Sequence, residues 1–326
     1  MFQKAHVRHR ISLITLLSLP ICVFAQGQTS LGNWQGVEIL GNKHIKRQDV
    51  EKIISVPIGT AATVNDVKAL KSRCVDVKER LLLAETKCGF VMLPGGRVFL
   101  TVDVIESGDE RRLKFRSEDS FQKVYLPDEL MKRLAEFQSL QFAKFQKGVK
   151  HEDVVKAGIL DSTDAELHSV IEKLVFATEG KTDILFKVLE YSDDAKHRAA
   201  AATLLSWARM PAQSIAALPP YLDDPSEVVR NDISRFILKF IDSVGSEIVI
   251  TQLIEAFSKQ LDFPSHGDRN KALFALAQIA RTRPASRPII SRVGGPTISY
   301  IAENSILENV GGEAKKLVAM LDMRKE

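Results

Sequence analysis

The chain has 326 residues, of which 45 are basic and 41 acidic, giving a formal charge of +4. Three of the basic residues, Lys4, Arg8 and Arg10, stand in a leader-like segment without acidic residues, and removing them leaves +1. So even a balance sets up no global field for nucleic acid or an anionic surface and argues against partners of either kind. A hydrophobic content of 45% is ample for packed cores, and the length suits two domains.

Residues 1–25 read as a secretory signal peptide. A basic n-region precedes the apolar run 11–24, which is interrupted by Ser12, Thr15, Ser18 and Pro20. Val23 and Ala25 occupy the −3 and −1 places of a cleavage site after Ala25. An uncleaved anchor is the alternative, but the run is short of the ~20 residues of a spanning helix. Cys22 suggests a lipoprotein, yet Leu19-Pro20-Ile21 before it fits that signal poorly. The expectation is export to the periplasm, with no transmembrane segment after cleavage. The remaining cysteines, Cys74 and Cys88, are an even pair and a disulfide candidate. The loop they would close is worth ~3 kcal/mol in the chain-entropy model; two unpaired core thiols are the alternative. No histidine or second cysteine pair lies near them, so no metal is expected.

Residues 37–40 form a short apolar strand ended by the turn pair Gly41-Asn42. Val50, Ile53 and Ile54 have helical spacing, and Pro57 and Gly59 stop that helix. Thr63 with Asp66 three places on reads as the capped start of a long helix, whose apolar positions are Val67, Leu70, Cys74, Val77 and Leu81. A strand over 88–93, the turn Pro94-Gly95-Gly96 and a strand over 97–105 follow. Val98, Leu100, Val102 and Val104 alternate in the last strand, which predicts one buried and one wetter face.

The order strand, helix, helix, strand, strand, with Gly41-Asn42, Gly59, Gly89-Phe90 and a closing Val104-Ile105-Glu106, resembles a POTRA domain over residues 34–106. The resemblance implies a mixed sheet with the last strand inside and the Gly-Phe strand at an edge. It also implies a module that binds polypeptide rather than an enzyme. Phe90, Val91, Met92 and Leu93 are then the candidate binding site, because an edge offers unpaired N–H and C=O groups to an extended chain. Their side chains are equally compatible with a purely structural role in closing the sheet. Such modules usually precede an outer-membrane β-barrel, and here helical sequence follows instead, so a barrel machine would be met as a separate partner.

Residues 107–123 are dense in charge without periodicity and read as a solvated linker, although Arg111-Arg112-Leu113-Lys114-Phe115-Arg116 is a basic cluster that a partner could use. From Leu126 onward no convincing strand appears. Helices over 126–145 and 164–178 form an irregular first repeat. Two clearer copies follow, one around Asp193-Asp194 with Arg198, the next around Asp223-Asp224-Pro225 with Arg230. A looser third copy has Arg269 in the comparable place, and the last residues form a capping pair. Residues 124–326 thus resemble HEAT or armadillo-like repeats stacked in a solenoid. Each Asp before a helix is read as a cap, Pro225 as a first-turn proline, and each Arg as reaching Asp side chains or carbonyls in the neighbouring repeat. Trp207 and Phe236 are assigned to the core.

The fold class expected is therefore a multidomain chain, a small α+β module followed by an all-α solenoid. Catalytic chemistry finds no foothold. Gly180-Lys181-Thr182 lacks the upstream glycine of a phosphate loop, since Val175 stands there. His44, His151, His168, His197 and His266 are scattered, without metal-ligand spacing. The reading is a non-enzymatic scaffold without cofactor that binds an extended polypeptide at the sheet edge and a second protein on the solenoid. The alternative is a helical-repeat enzyme subunit with a site in the solenoid groove.

Overall fold

The computed structural model of the protein describes residues 30–149, 152–208 and 211–322, so the leader and its Ala25 cleavage site lie outside the described residues. The first half is built from β1 (Ser30–Leu40), α1 (Arg47–Ile53), β2 (Ala61–Thr63), α2 (Val64–Arg80), β3 (Glu85–Leu93) and β4 (Arg97–Ile105). The sheet order is β2-β1-β4-β3, with β1 and β4 parallel and the other neighbours antiparallel. The last strand is inside and β3 is at an edge. β1 starts at Ser30 rather than Val37, because its polar N-terminal stretch pairs with the unforeseen β2.

Local chemistry sets the helices. The Asp66 amide donates to Thr63 Oγ1 at 3.2 Å and the Thr63 amide to Asp66 Oδ2 at 2.7 Å, a reciprocal box that closes the start of α2. Leu70 and Val77 of α2, with Val50 and Ile54, then pack on Val98, Leu100, Val102 and Val104 of β4. Gly41 follows β1 at φ +84°, where an added Cβ would sit 2.3 Å from both the Val104 carbonyl oxygen and Arg112 Nη1. The turn therefore needs glycine for conformation and for space.

The second half comprises α3 (Asp128–Gln146), β5 (Asp153–Lys156), β6 (Ile159–Ser162), α4 (Ala165–Thr178), α5 (Thr182–Tyr191), α6 (Ala195–Leu204), α7 (Pro211–Ile215), α8 (Glu227–Phe240), α9 (Glu247–Asp262), α10 (His266–Thr282), α11 (Arg287–Asn304) and α12 (Glu313–Asp322). Helices α6, α8, α10 and α12 lie side by side, and α5, α9 and α11 pack against that row. Trp207 and Phe236 are buried, Trp207 edge-on to Phe137 at 5.0 Å. The chain is thus a mixed α+β protein. Among the described residues no helix is long and apolar enough to cross a membrane.

Four expectations are corrected. The helical half contains a hairpin, β5–β6, turned through Ala157 and Gly158, both at positive φ. The second face of β4 is not wet: Phe99, Thr101, Asp103 and Ile105 are all buried. Residues 107–123 are not a solvated linker, because Arg112 is buried and Phe115, Arg116 and Phe121 are partly so. Pro225 precedes the Ser226 N-cap of α8 and stands outside its first turn.

Candidate polypeptide-binding edge and the arginine ladder behind it

Among the described residues β3 pairs with β4 alone, in the register Phe90↔Leu100 and Thr86↔Val104. The Val104 carbonyl accepts from Arg112 Nη1 at 2.7 Å and so faces away from β3, while the Thr86 amide donates to the Glu85 side chain at 2.9 Å. Thr86 and Val104 are thus a pair without mutual backbone hydrogen bonds. The two-residue alternation of an antiparallel ladder then turns the amides and carbonyls of Cys88, Phe90 and Met92 toward the open edge.

The side chains of the four predicted site residues divide between the two faces. Val91 and Leu93 are buried in the cluster shared with the helical half. Met92 packs, half-buried, on the α2 side, and Phe90 is half-buried outside both clusters. These side chains mainly close the sheet, and the backbone of Cys88, Phe90 and Met92 is what the edge offers. Cys74 and Cys88 form a disulfide, with Cα atoms 6.0 Å apart, that ties β3 to α2 beside the edge. Lys87 and Gly89 are exposed there. At the far end of β4 the Glu106 carboxylate accepts the His44 and Ile45 amides at 2.8 and 3.0 Å. Partial burial works against its charge, but these bonds prevail and keep its pKa below the ordinary glutamate value.

Behind the sheet, three arginines repeat one pairing, a carbonyl six residues back and an aspartate further away. Arg198 Nη1 donates to the Ser192 carbonyl, six residues back, and its Nε and Nη2 clamp Asp224 at 2.9 and 3.0 Å. Arg230 Nη1 donates to the Asp224 carbonyl, and its Nε and Nη2 reach Asp268 Oδ2 at 3.0 and 2.6 Å. Arg269 Nη1 donates to the Phe263 carbonyl, and the guanidinium takes Asp103 of β4 at 2.5 and 2.9 Å. Each arginine thus fastens its own helix start and then the next unit, and for Arg269 the next unit is the sheet. A second buried carboxylate on the same face, Glu38, accepts from Ser305 Oγ at 2.5 Å and the Ile306 amide at 2.8 Å. Burial raises its pKa against the pull of those two bonds. Burial likewise pushes Asp268 up to about 6, opposed by Arg230, and pushes His266 down to about 3, with Arg269 and Lys271 adding to the effect.

Residues 107–123 lie across this ladder. Arg112 Nε donates to the Asp262 carbonyl at 2.7 Å. Phe115 meets the Phe263 ring at 4.9 Å and lies under the Arg230 guanidinium at 4.6 Å. Arg116 adds a 2.8 Å bond to Asp224 Oδ2 and another to the Leu189 carbonyl. Phe121 lies under Arg198 at 4.2 Å. The Gln122 amide donates to the Tyr191 carbonyl and the Asp193 amide to the Gln122 carbonyl.

Of the predicted residues, Arg198 and Arg230 reach aspartates of the following repeat as expected, whereas the carbonyls they bind belong to their own repeat and Arg269 takes Asp103 of the sheet. Asp194 accepts the Lys196 amide at 2.7 Å and caps α6. Sequence reasoning missed Asp103, Glu38 and Phe121; it noted the basic cluster 111–116 but not that Arg112, Phe115 and Arg116 lie on the helical half, for which the interleaving of basic residues with Leu113 and Phe115 was the available signal. Of the histidines, His44 meets Glu106, His168 meets Asp161 at 2.6 Å, and His197 accepts the Leu126 amide. His151 lies outside the described residues. Among the described residues no group of three His, Cys, Asp or Glu is placed to hold a metal ion. Comparison with protein-family models, curated proteins and solved structures returns no match.

Proposed function

We propose that this chain is an exported, non-enzymatic binding protein whose sheet half, a POTRA-like module, takes up an extended polypeptide along β3, while the repeat-like helical half serves a second protein contact. The observation that carries this reading is the open edge, where the backbone groups of Cys88, Phe90 and Met92 have no strand partner among the described residues. A strand added there gains main-chain hydrogen bonds without disturbing the packed faces. The disulfide suits an oxidising compartment, in keeping with the signal-peptide reading and residence in the periplasm of a diderm bacterium. The expected role is in outer-membrane protein assembly or secretion, with the barrel machine as a separate partner.

Peptides selected from a random display library on the chain lacking residues 1–25 should protect the Cys88, Phe90 and Met92 amides from hydrogen exchange. Phe90→Pro removes one outward N–H and leaves the β4 ladder intact, so it should weaken such binding at least tenfold while the protein stays folded. Tight peptides that leave β3 exchange unchanged would refute the edge as the site.

A further inference from the structure

The arginine ladder is complete without the segment laid over it. Asp224 and Asp268 each hold an arginine of the ladder directly, and every ladder arginine also binds a carbonyl six residues back. Residues 107–123 add a layer on top, and that layer is held in a particular way. Asp109 and Arg112, both toward one end, are its buried residues. From Phe115 to Gln122 the backbone makes three bonds to the helical half: the Arg116 amide to the Asp223 carbonyl, and the two bonds linking Gln122 with Tyr191 and Asp193. Between these points residues 117–120 are exposed and bond among themselves, Ser117 Oγ to Asp119 Oδ2 at 2.6 Å. The remaining hold is side-chain chemistry: Phe121 on Arg198, Phe115 on Arg230 and the Phe263 ring, and Arg116 on Asp224, the Leu189 carbonyl and the Tyr221 ring. A segment held by few backbone bonds opens locally at low free energy.

We propose that the face of the ladder formed by Arg198, Asp224 and Arg230 is a second polypeptide-binding site, occupied in cis by residues 115–122, and that its ligand in trans is an extended segment with the same chemistry. That chemistry is an aromatic residue followed directly by arginine, with a second aromatic about six residues after the first, as Phe121 follows Phe115. The spacer is loosely specified, because residues 117–120 touch little. Extended backbone is required at the far end, where Gln122 and Ser192 form a parallel bridge. This inference rests on the reading of the helical half as a protein-binding surface and identifies where on it the second partner would sit. The tethered copy competes at an effective concentration of roughly millimolar, so a partner binds the intact protein weakly until the cis segment lifts.

The test uses the chain lacking residues 1–25 and a fluorescent peptide of residues 111–123. The triple variant Phe115→Ala/Arg116→Ala/Phe121→Ala vacates the ladder, and in anisotropy titrations it should bind the peptide at least tenfold more tightly than the unsubstituted protein. Alanine at the two phenylalanines of the peptide should abolish that gain, and Phe90→Pro in the protein should leave it unchanged, which separates this site from the β3 edge. Equal binding to both proteins, or none to a cooperatively folded triple variant, overturns the proposal. Should the variant not fold, hydrogen exchange of the unsubstituted protein decides. The Arg116 and Gln122 amides should exchange by local opening, at rates insensitive to low denaturant; exchange only through global unfolding would make residues 115–122 a permanent strap and end the proposal.

Discussion

Toward α1 and α2 the sheet buries Val98, Leu100, Val102 and Val104; toward the helical half it buries Phe99, Thr101, Asp103 and Ile105. The first face is held by apolar area, roughly 1.5–3 kcal/mol per large side chain. The second carries two carboxylates, Glu38 and Asp103, each with directional partners from the helical half. Apolar packing tolerates small adjustments of angle. A bidentate arginine–carboxylate pair fixes orientation, at the risk that losing one partner strands a buried charge. The difference explains how the chain joins two architectures. The sheet supplies the aspartate that a further repeat would otherwise supply to Arg269.

The largest expected effect comes from breaking the charged face. Asp103→Ala should cost about 3–5 kcal/mol in urea unfolding, because Arg269 stays buried without its carboxylate. Replacing both, as Asp103→Leu with Arg269→Met, should recover most of that loss. The oily face responds to a smaller degree: Leu100→Ala, at a site 1% exposed, should cost about 3 kcal/mol. Removing the disulfide as Cys74→Ser/Cys88→Ser should cost about 2–3 kcal/mol and raise hydrogen exchange in β3 before other strands.

The pH response sharpens the comparison further. His266 is held neutral, with its folded pKa near 3 below an unfolded value of 6.5. The unfolded chain therefore binds the extra proton between those values, and stability falls as pH falls. Asp268 acts with the opposite sign between about 6 and 3.8, since its folded pKa is raised. His266→Gln removes only the first contribution. Relative to the unsubstituted protein, it should gain about 2 kcal/mol on going from pH 7 to pH 5, read from urea midpoints. Least of all, Lys316→Ala should change stability by under about 0.5 kcal/mol, because its pair with Glu313 has an exposed lysine.

What the sequence made legible was local or periodic. The Thr63–Asp66 box lies within one turn, and the alternation of β4 marks its oily face without knowledge of anything else. The arginines at 198, 230 and 269 stood out because they recur. Long-range pairing was hidden. Thr101 and Asp103 alternate with valines as they would on a wet strand, and nothing near them in the chain announces Arg269. Residues 111–116 carry the charge density of a solvated stretch, and their partners lie about 70 to 150 residues further on. The β5–β6 hairpin escaped because its strands are short, β5 is mostly exposed, and its turn is Ala-Gly rather than Asn-Gly. At the candidate edge the strand itself was legible from the sequence, but the outward backbone groups at 88, 90 and 92 required the strand register.

With the sheet as the last rung of the arginine ladder, both halves should unfold together. Calorimetry of the chain lacking residues 1–25, with and without Asp103→Ala, tests this most directly. The unsubstituted protein should melt in one transition with equal calorimetric and van't Hoff enthalpies, and Asp103→Ala should split it into two. Two transitions in the unsubstituted protein, or an Asp103→Ala variant that melts at the same temperature in one step, would contradict it.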